Sequence, residues 1–211
     1  MREVAKVVGL LVASFAWVLY GQLFYHQIEI GKAAALKNQR GNFDATMQLS
    51  AVACADLDWW VTNVCQAYKP ILTPPRHLIM HTDASSTIGW GATLNGSACG
   101  GPWSAAEKKH HINFLELKAV LLALQSWESL VSGKHVCVMV DNQAAVSIIN
   151  YMGSSHSEDH ETMARTIWLW CIKNQVYLSA AHIAGSDIIE ADFQSRSVDF
   201  SIEWKLNEHK L

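Results

Sequence analysis

The chain has 211 residues, enough for one ordinary domain plus a substantial appendage. Half of the residues are hydrophobic and 17% are charged, which excludes a disordered or collagen-like chain and supplies a sizeable core. A formal net charge of −3 excludes a strongly basic nucleic-acid coat, so charge alone does not hold this chain to nucleic acid.

The first 76 residues read as helical with loops. Val7 to Tyr25 carries no charge and, at 19 residues, is just long enough to span a bilayer. Glu3 and the lack of a clean cleavage site argue against a signal peptide. Gly9, Ser14, Gly21 and Gln22 interrupt the run, which favours a buried helix or helix pair over a membrane anchor, and no membrane partner is expected. Gly41-Asn42 punctuates the segment, and Asp44 to Tyr68 carries apolar residues at helical spacing. Thr73-Pro74-Pro75 is a stiff extended break. It divides a helical connection segment, 1–76, from a second unit, 77–200, with a tail at 201–211.

Beyond the prolines the pattern changes. His77 to Asp83 reads as a short strand, and Ile88 to Leu94, Asn95-Gly96 and Ser97 to Trp103 as a hairpin with a favoured two-residue turn. Phe114 to Leu130 reads as a helix capped by Asn113 and ended by Ser132-Gly133. His135 to Val140 is a fully apolar strand. Helices at Asn142 to Tyr151 and Asp159 to Lys173, a strand at Val176 to His182 and a short helix containing Ala191-Asp192 complete the order. A meander of three strands followed by right-handed crossovers gives an α/β fold: a mixed five-stranded sheet, three antiparallel strands then two parallel, flanked by helices.

On that frame Asp83 and Asp141 end neighbouring parallel strands, where open α/β sheets place their ligands. Glu116 falls in the first turn of the crossing helix, and Asp192 starts the last one. Singly, Asp141 and Asp192 could each cap a helix, Glu116 could answer a helix dipole and Asp83 could serve a turn. As an ordered set of four at element ends, they converge on one pocket. Clustered carboxylates repel, and a hard divalent cation with oxygen ligands answers that repulsion. Two Mg²⁺ ions, with Mn²⁺ as a substitute, can activate a water and stabilise a leaving oxygen, which points to phosphodiester hydrolysis.

Thr82-Asp83-Ala84-Ser85, Gly89-Trp90-Gly91-Ala92, His111 to Leu117 (HINFLEL), Val140-Asp141-Asn142 and Ala191 to Arg196 (ADFQSR) together resemble the ribonuclease H domain of retrotransposon reverse transcriptases. The HINFLEL phrase and the Ile167 to Cys171 run (IWLWC) look most like DIRS-type elements. Val4 to Tyr25, Gly41 to Asp44 and Trp59-Trp60 resemble the connection upstream of ribonuclease H in those proteins. The resemblance implies a ribonuclease H fold, two Mg²⁺ ions and endonucleolytic cleavage of RNA in RNA–DNA hybrids. It carries the acidic quartet over as Asp83, Glu116, Asp141 and Asp192, serving both catalysis and metal binding. Ser85, Asn142, Lys108, Lys109 and Arg196 are the expected substrate contacts. A separate polymerase or another retroelement protein is a further expected partner.

The chain departs from the family in two places. It contains no Asp-Asp pair, so the polymerase motif is missing, as in the C-terminal piece of a longer ancestor. The loop His182 to Ile188 lacks the Gly-His that supplies a mobile catalytic histidine elsewhere. The alternative reading is therefore a catalytically weak remnant that binds nucleic acid or protein. His156 and His160 have metal-pair spacing in a polar loop, where a surface role is expected. Trp103, Trp168 and Trp170 are expected to pack rather than stack on bases. Cys54, Cys65, Cys99, Cys137 and Cys171 form no CxxC pair and read as reduced core residues of an intracellular protein, cytoplasmic or nuclear and not secreted.

Overall fold

A computed structural model describes residues 1–72, 74–184, 195 and 196. The N-terminal segment contains α1 (Arg2–Ser14), α2 (His26–Asn38) and α3 (Ala51–Asn63). The uncharged run breaks after Ser14, and residues 15–25 form turns instead of continuing the helix. No helix among the described residues is long and apolar enough to cross a membrane. The break has a packing cause. A Cβ on Gly21 would lie 2.7 Å from the Trp60 ring, so only glycine lets the turn seat on α3. There the Trp60 indole N–H donates to the Phe24 carbonyl at 2.9 Å, and Phe24 stacks on Trp59 with centroids 4.0 Å apart. Helix α3 is shorter than the apolar spacing of 44–68 suggests. It starts where the Ser50 hydroxyl accepts from the Ala53 N–H.

The second part contains β1 (Leu78–Ala84), β2 (Gly89–Leu94), β3 (Ser97–Pro102), α4 (Ile112–Ser126), α5 (Glu128–Val131), β4 (His135–Val140), α6 (Gln143–Asn150), α7 (Glu158–Lys173) and β5 (Tyr177–His182). A short 3-10 turn, Glu107–Lys109, precedes α4 and was not legible as an element. The sheet order is β3-β2-β1-β4-β5. Strands β1, β2 and β3 pair antiparallel, and β4 pairs parallel with both β1 and β5, as the pattern of the sequence requires. Asn95 (φ 51°) and Gly96 (φ 78°) both lie in the left-handed region, the conformation a two-residue hairpin turn needs.

Helix α4 is the centre of the core. Its apolar residues surround it, and Leu115, Leu117, Ala119, Val120, Ala123 and Leu124 are wholly buried between the sheet and α7. Trp103 and Trp168 are buried packing residues whose indole N–H groups donate to the carbonyls of Ser85 and Ile149. Cys137 and Cys171 are core residues, but Cys54 and Cys65 are exposed. They fall on the faces of the N-terminal segment that meet solvent, a choice fixed by packing that residue type does not show.

The connecting residues are clamped to the sheet. His135 on β4 bridges the Pro74 carbonyl (2.7 Å) and the Ser179 hydroxyl (2.8 Å), and its backbone N–H donates to the His77 ring at 3.1 Å. The N-terminal segment also meets α7 and the loop before it. Arg165 makes two hydrogen bonds to buried Asp56, 2.6 and 3.2 Å, with its guanidinium 5.3 Å from the Phe24 ring. One continuous cluster of buried apolar side chains includes Val8, Leu23 and Trp60 as well as the residues around α4.

Gly153 is the tightest point of this seam. Its φ is +154°, and a Cβ there would sit 2.3 Å from both the Glu161 carboxylate and the His26 ring. Gly153→Ala is therefore expected to destabilise the chain by about 2 kcal/mol or more, read as a lowered midpoint in thermal denaturation.

Candidate metal centre

The parallel pairing of β1 with β4 builds the site. Met80 faces Val138 and His81 faces Met139. Continuing the same register two residues onward sets Asp83 beside Asp141. Asp83 is the penultimate residue of its strand and Asp141 follows directly on its own. Helix α4 packs across β1 and β2 and brings Glu116 to the same point. Ligand oxygens of Asp83, Glu116 and Asp141 lie within 4.8 Å of one another. The fourth expected acid, Asp192, lies outside the described residues.

Two unit charges at that separation repel by about 3 kcal/mol at an effective dielectric near 20. Burial adds to this, since Asp83 and Glu116 are both buried and only Asp141 reaches solvent. Burial pushes the Glu116 carboxyl up to about 9, and the charges on Asp83 and Asp141 add to the rise; the Ala84 backbone N–H pulls the other way. The Glu116 Oε2 atom is buried without a hydrogen-bond partner among the described residues. A buried carboxylate oxygen left open and aimed into an acid cluster fits a divalent cation.

The residues around the acids hold them in place. The Ser195 hydroxyl donates to the Asp83 carboxylate. A ring N–H of His182, the last residue of β5, donates to the Asp141 carbonyl at 3.2 Å. Asn142, not Asp141, caps α6: its side-chain oxygen accepts from Ala145 N–H at 3.0 Å. The same amide donates to Asn113 at 2.9 Å, which ties the start of α6 to the start of α4. Asp141 is thereby left free of a capping role.

Helix α4 begins at Ile112, with the His111 ring accepting from the Asn113 N–H at 3.2 Å. The cap is thus His111 rather than Asn113, and Glu116 opens the second turn instead of lying in the first. That removes helix-dipole compensation as an explanation of this acid.

Of the expected substrate contacts, Ser85 accepts from the N–H groups of Thr87 (3.4 Å) and Ile88 (3.2 Å) and so shapes the β1–β2 turn. Lys108 and Lys109 are exposed on the 3-10 turn, and Arg196 is exposed. His156 and His160 line a cavity of about 520 Å³ between α6, the loop before α7 and the N-terminal segment. This cavity left no trace in the local sequence pattern, because its walls come from residues more than a hundred positions apart.

Residues 73–171, just under half of the chain, match the family model of the RNase H-like domain found in reverse transcriptase. A curated relative, the enzymatic polyprotein of cauliflower mosaic virus (strain D/H), is 27% identical over 136 residues, covering 58% of this chain. The chain spans only 19% of the length of that polyprotein. Among solved structures, RNase H1 of the archaeon Halobacterium salinarum is 15% identical with a TM-score of 0.46, covering 56% of this chain and 92% of the other. LC11-RNase H1, in complex with an RNA/DNA hybrid, is 17% identical with a TM-score of 0.47 over the same shares. The foamy viral protease–reverse transcriptase in complex with an RNA/DNA hybrid is 12% identical, TM-score 0.42, over 79% of this chain and 28% of that one.

If the acid cluster takes a cation, Mg²⁺ at about ten to a hundred times its dissociation constant stabilises the folded chain by about 1–3 kcal/mol. That corresponds to a rise of several degrees in the thermal midpoint. Asp83→Asn is expected to match or slightly exceed the wild-type midpoint without divalent ions, because one repelling charge is gone, and to lose the Mg²⁺ response. An equal Mg²⁺ shift in both proteins would remove Asp83 from the site.

Proposed function

We propose that this chain is a divalent-metal-dependent endonuclease that hydrolyses the RNA strand of RNA–DNA hybrids. The observation that carries the reading is the open, buried Glu116 carboxylate held within 4.8 Å of Asp83 and Asp141 at the carboxyl ends of two parallel strands. Asp83, Glu116 and Asp141 would hold Mg²⁺, with Asp192 completing the quartet. Bound there, the metal supplies Lewis-acid chemistry, polarising the scissile phosphate and raising the acidity of a water.

The chain's own groups bind and orient. Ser195 fixes the rotamer of Asp83, and His182 fixes the backbone that presents Asp141. The Asn113–Asn142 bridge sits between the two helix starts beside the acids, where it positions the amide groups toward a sugar-phosphate backbone. Lys108 and Lys109 are exposed cations available to phosphates, and Arg196 is exposed. The cavity supports a strand running along α6. Ala144, one turn from Asp141, lines it at one end and Tyr151 at the other, with His156 and His160 in the wall. Phe15 and Tyr25 of the N-terminal segment face it, and no carboxylate among the described residues lines it, so it suits a polyanion with flat bases.

The chain resembles a DIRS-type element through HINFLEL and IWLWC, and we assign it to the ribonuclease H end of such a reverse transcriptase. The missing Gly-His of the loop at 182–188 favours the second reading, a module that binds hybrid but cleaves it weakly.

Incubation with a labelled RNA–DNA hybrid separates these. Cleavage of the RNA strand with Mg²⁺, lost in Asp83→Asn and Asp141→Asn, is expected for the enzyme. Binding with no cleavage at any metal concentration leaves only the module.

Affinity has its own signature. With few exposed cations near the site, the slope of log affinity against log salt is expected to reflect about two to four counterions. Chelation should weaken binding sharply. Ca²⁺ should restore binding without efficient cleavage, because its looser coordination misplaces the attacking water. Tight binding in excess chelator with a steep slope would show that a basic surface, and not the metal centre, holds the hybrid.

A further inference from the structure

We infer that the N-terminal segment is latched to the RNase H-like domain by a proton: Glu161 is neutral in the closed seam, and the latch weakens when Glu161 ionises. None of the groups involved belongs to the acid cluster; His26, Gly153 and Ser154 do line the cavity assigned above to a strand, so the test below reads the seam itself and not hybrid binding or cleavage.

The geometry comes from four elements. Glu161, on α7, is fully buried. Its Oε2 accepts from the Ser154 N–H at 3.0 Å, and its Oε1 has no hydrogen-bond partner among the described residues. Arg165 stands one turn further along α7, and Asp56 approaches from α3. His26, at the start of α2, lies across Gly153, whose missing side chain is the only reason the ring and the carboxylate fit together. Glu29 of α2 acts on His26.

The charge balance of this cluster is the core of the inference. Arg165 gives one N–H from each terminal nitrogen to Asp56, so its charge is already matched. The Nε2 atom of His26 meets the Tyr151 carbonyl at 3.0 Å, which requires a ring N–H there. Nδ1 meets the Ser155 hydroxyl at 3.1 Å, and that hydroxyl donates to it when the ring is neutral. Burial favours the neutral ring by holding the His26 pKa below its ordinary value, outweighing the Tyr151 carbonyl and Glu29. A neutral histidine and a matched Asp56–Arg165 pair leave nothing to balance a negative Glu161. A buried unbalanced charge costs more than a buried neutral acid.

The direction with pH follows. Burial, with a contribution from Asp56, raises the Glu161 carboxyl from its ordinary 4.5 to about 7, against the Ser154 N–H and Arg165. A raised carboxyl means the closed seam keeps its proton between those values while the open seam loses it. Closure is therefore strongest near the bottom of that window, falls as pH rises through about 7, and is level above it. Protonation of His26, whose value is lowered, opposes closure from the acidic side. The latch then has an optimum on the acid side of neutrality.

The test is amide hydrogen exchange on the full chain from pH 5.5 to 8.5, corrected for intrinsic rates, read at residues 22–29 and 151–161. Glu161→Gln, a permanently neutral isostere, isolates the carboxyl because the His26 contribution is common to both chains. The ratio of wild-type to Glu161→Gln protection is expected to fall with rising pH at both segments together, by on the order of tenfold to a hundredfold. A ¹³C titration of the Glu161 carboxyl in the wild-type chain decides the matter without any substitution and should show a midpoint near 7. A protection ratio that is flat with pH, or a Glu161 midpoint near 4.5, would each overturn the latch.

Discussion

The repulsion among Asp83, Glu116 and Asp141 is the constraint around which the five-stranded sheet and its helices are arranged. No single element could hold three carboxylates this close, because each would rotate away into solvent. The sheet prevents it for Asp83 and Asp141 by fixing their backbones in one parallel register. Helix α4 prevents it for Glu116 by burying every neighbouring turn in the core, so that moving the carboxylate would mean moving the helix. The apolar packing of α4 is large and non-directional, and it offsets the electrostatic cost of a site that is unfavourable by itself. Stability is thus supplied by the core and given up at the strand ends, where the chemistry needs it.

The parts of this arrangement set by local pattern were legible in the sequence. The strand at His135–Val140 has the bounds its sequence suggests, since a histidine and five apolar residues between a glycine turn and an acid leave little choice. Asp83 and Asp141 followed, because a strand's end fixes where its last side chains lie. Glu116 was found but misplaced by a turn, because the cap that starts α4 is a histidine ring, a residue type that seldom caps. The uncharged stretch at 7–25 reads as a buried helix or helix pair, and its local pattern does not place the break. Its break depends on Gly21 meeting Trp60, a contact across 39 positions that no window of sequence contains. The exposure of Cys54 and Cys65 was hidden for the same reason. Asp192 was assigned by motif, and it lies outside the described residues.

The N-terminal segment shares the domain's core. Its contacts are of two kinds. Leu23, Phe24 and Trp60 supply apolar burial, while Asp56–Arg165 and His26–Ser155 supply direction. Apolar surfaces tolerate sliding, and a two-bond guanidinium–carboxylate pair does not. The segment is therefore held at one angle to α7, and the cavity beside α6 keeps its shape because its walls are fixed by these polar contacts.

Asp56, Glu116 and Glu161, three of the four buried carboxylates among the described residues, are balanced in three ways, and the differences follow from what surrounds each. Asp56 has a guanidinium in its plane with room for two hydrogen bonds, so a permanent cation of the chain answers it. Glu116 has two further acids at its side and an open oxygen, so no single side chain could answer it, and a multivalent ion from solution can. Glu161 has one backbone N–H, an arginine already occupied and a histidine already hydrogen-bonded, so only a proton remains. The first balance is set within the chain: burial raises the Asp56 carboxyl and Arg165 opposes the rise. On the proposals made above, the second balance would follow divalent-ion concentration and the third pH. Environmental sensitivity would then sit at the strand ends that hold the acids and at the seam that holds the N-terminal segment, with the Asp56–Arg165 pair beside the second.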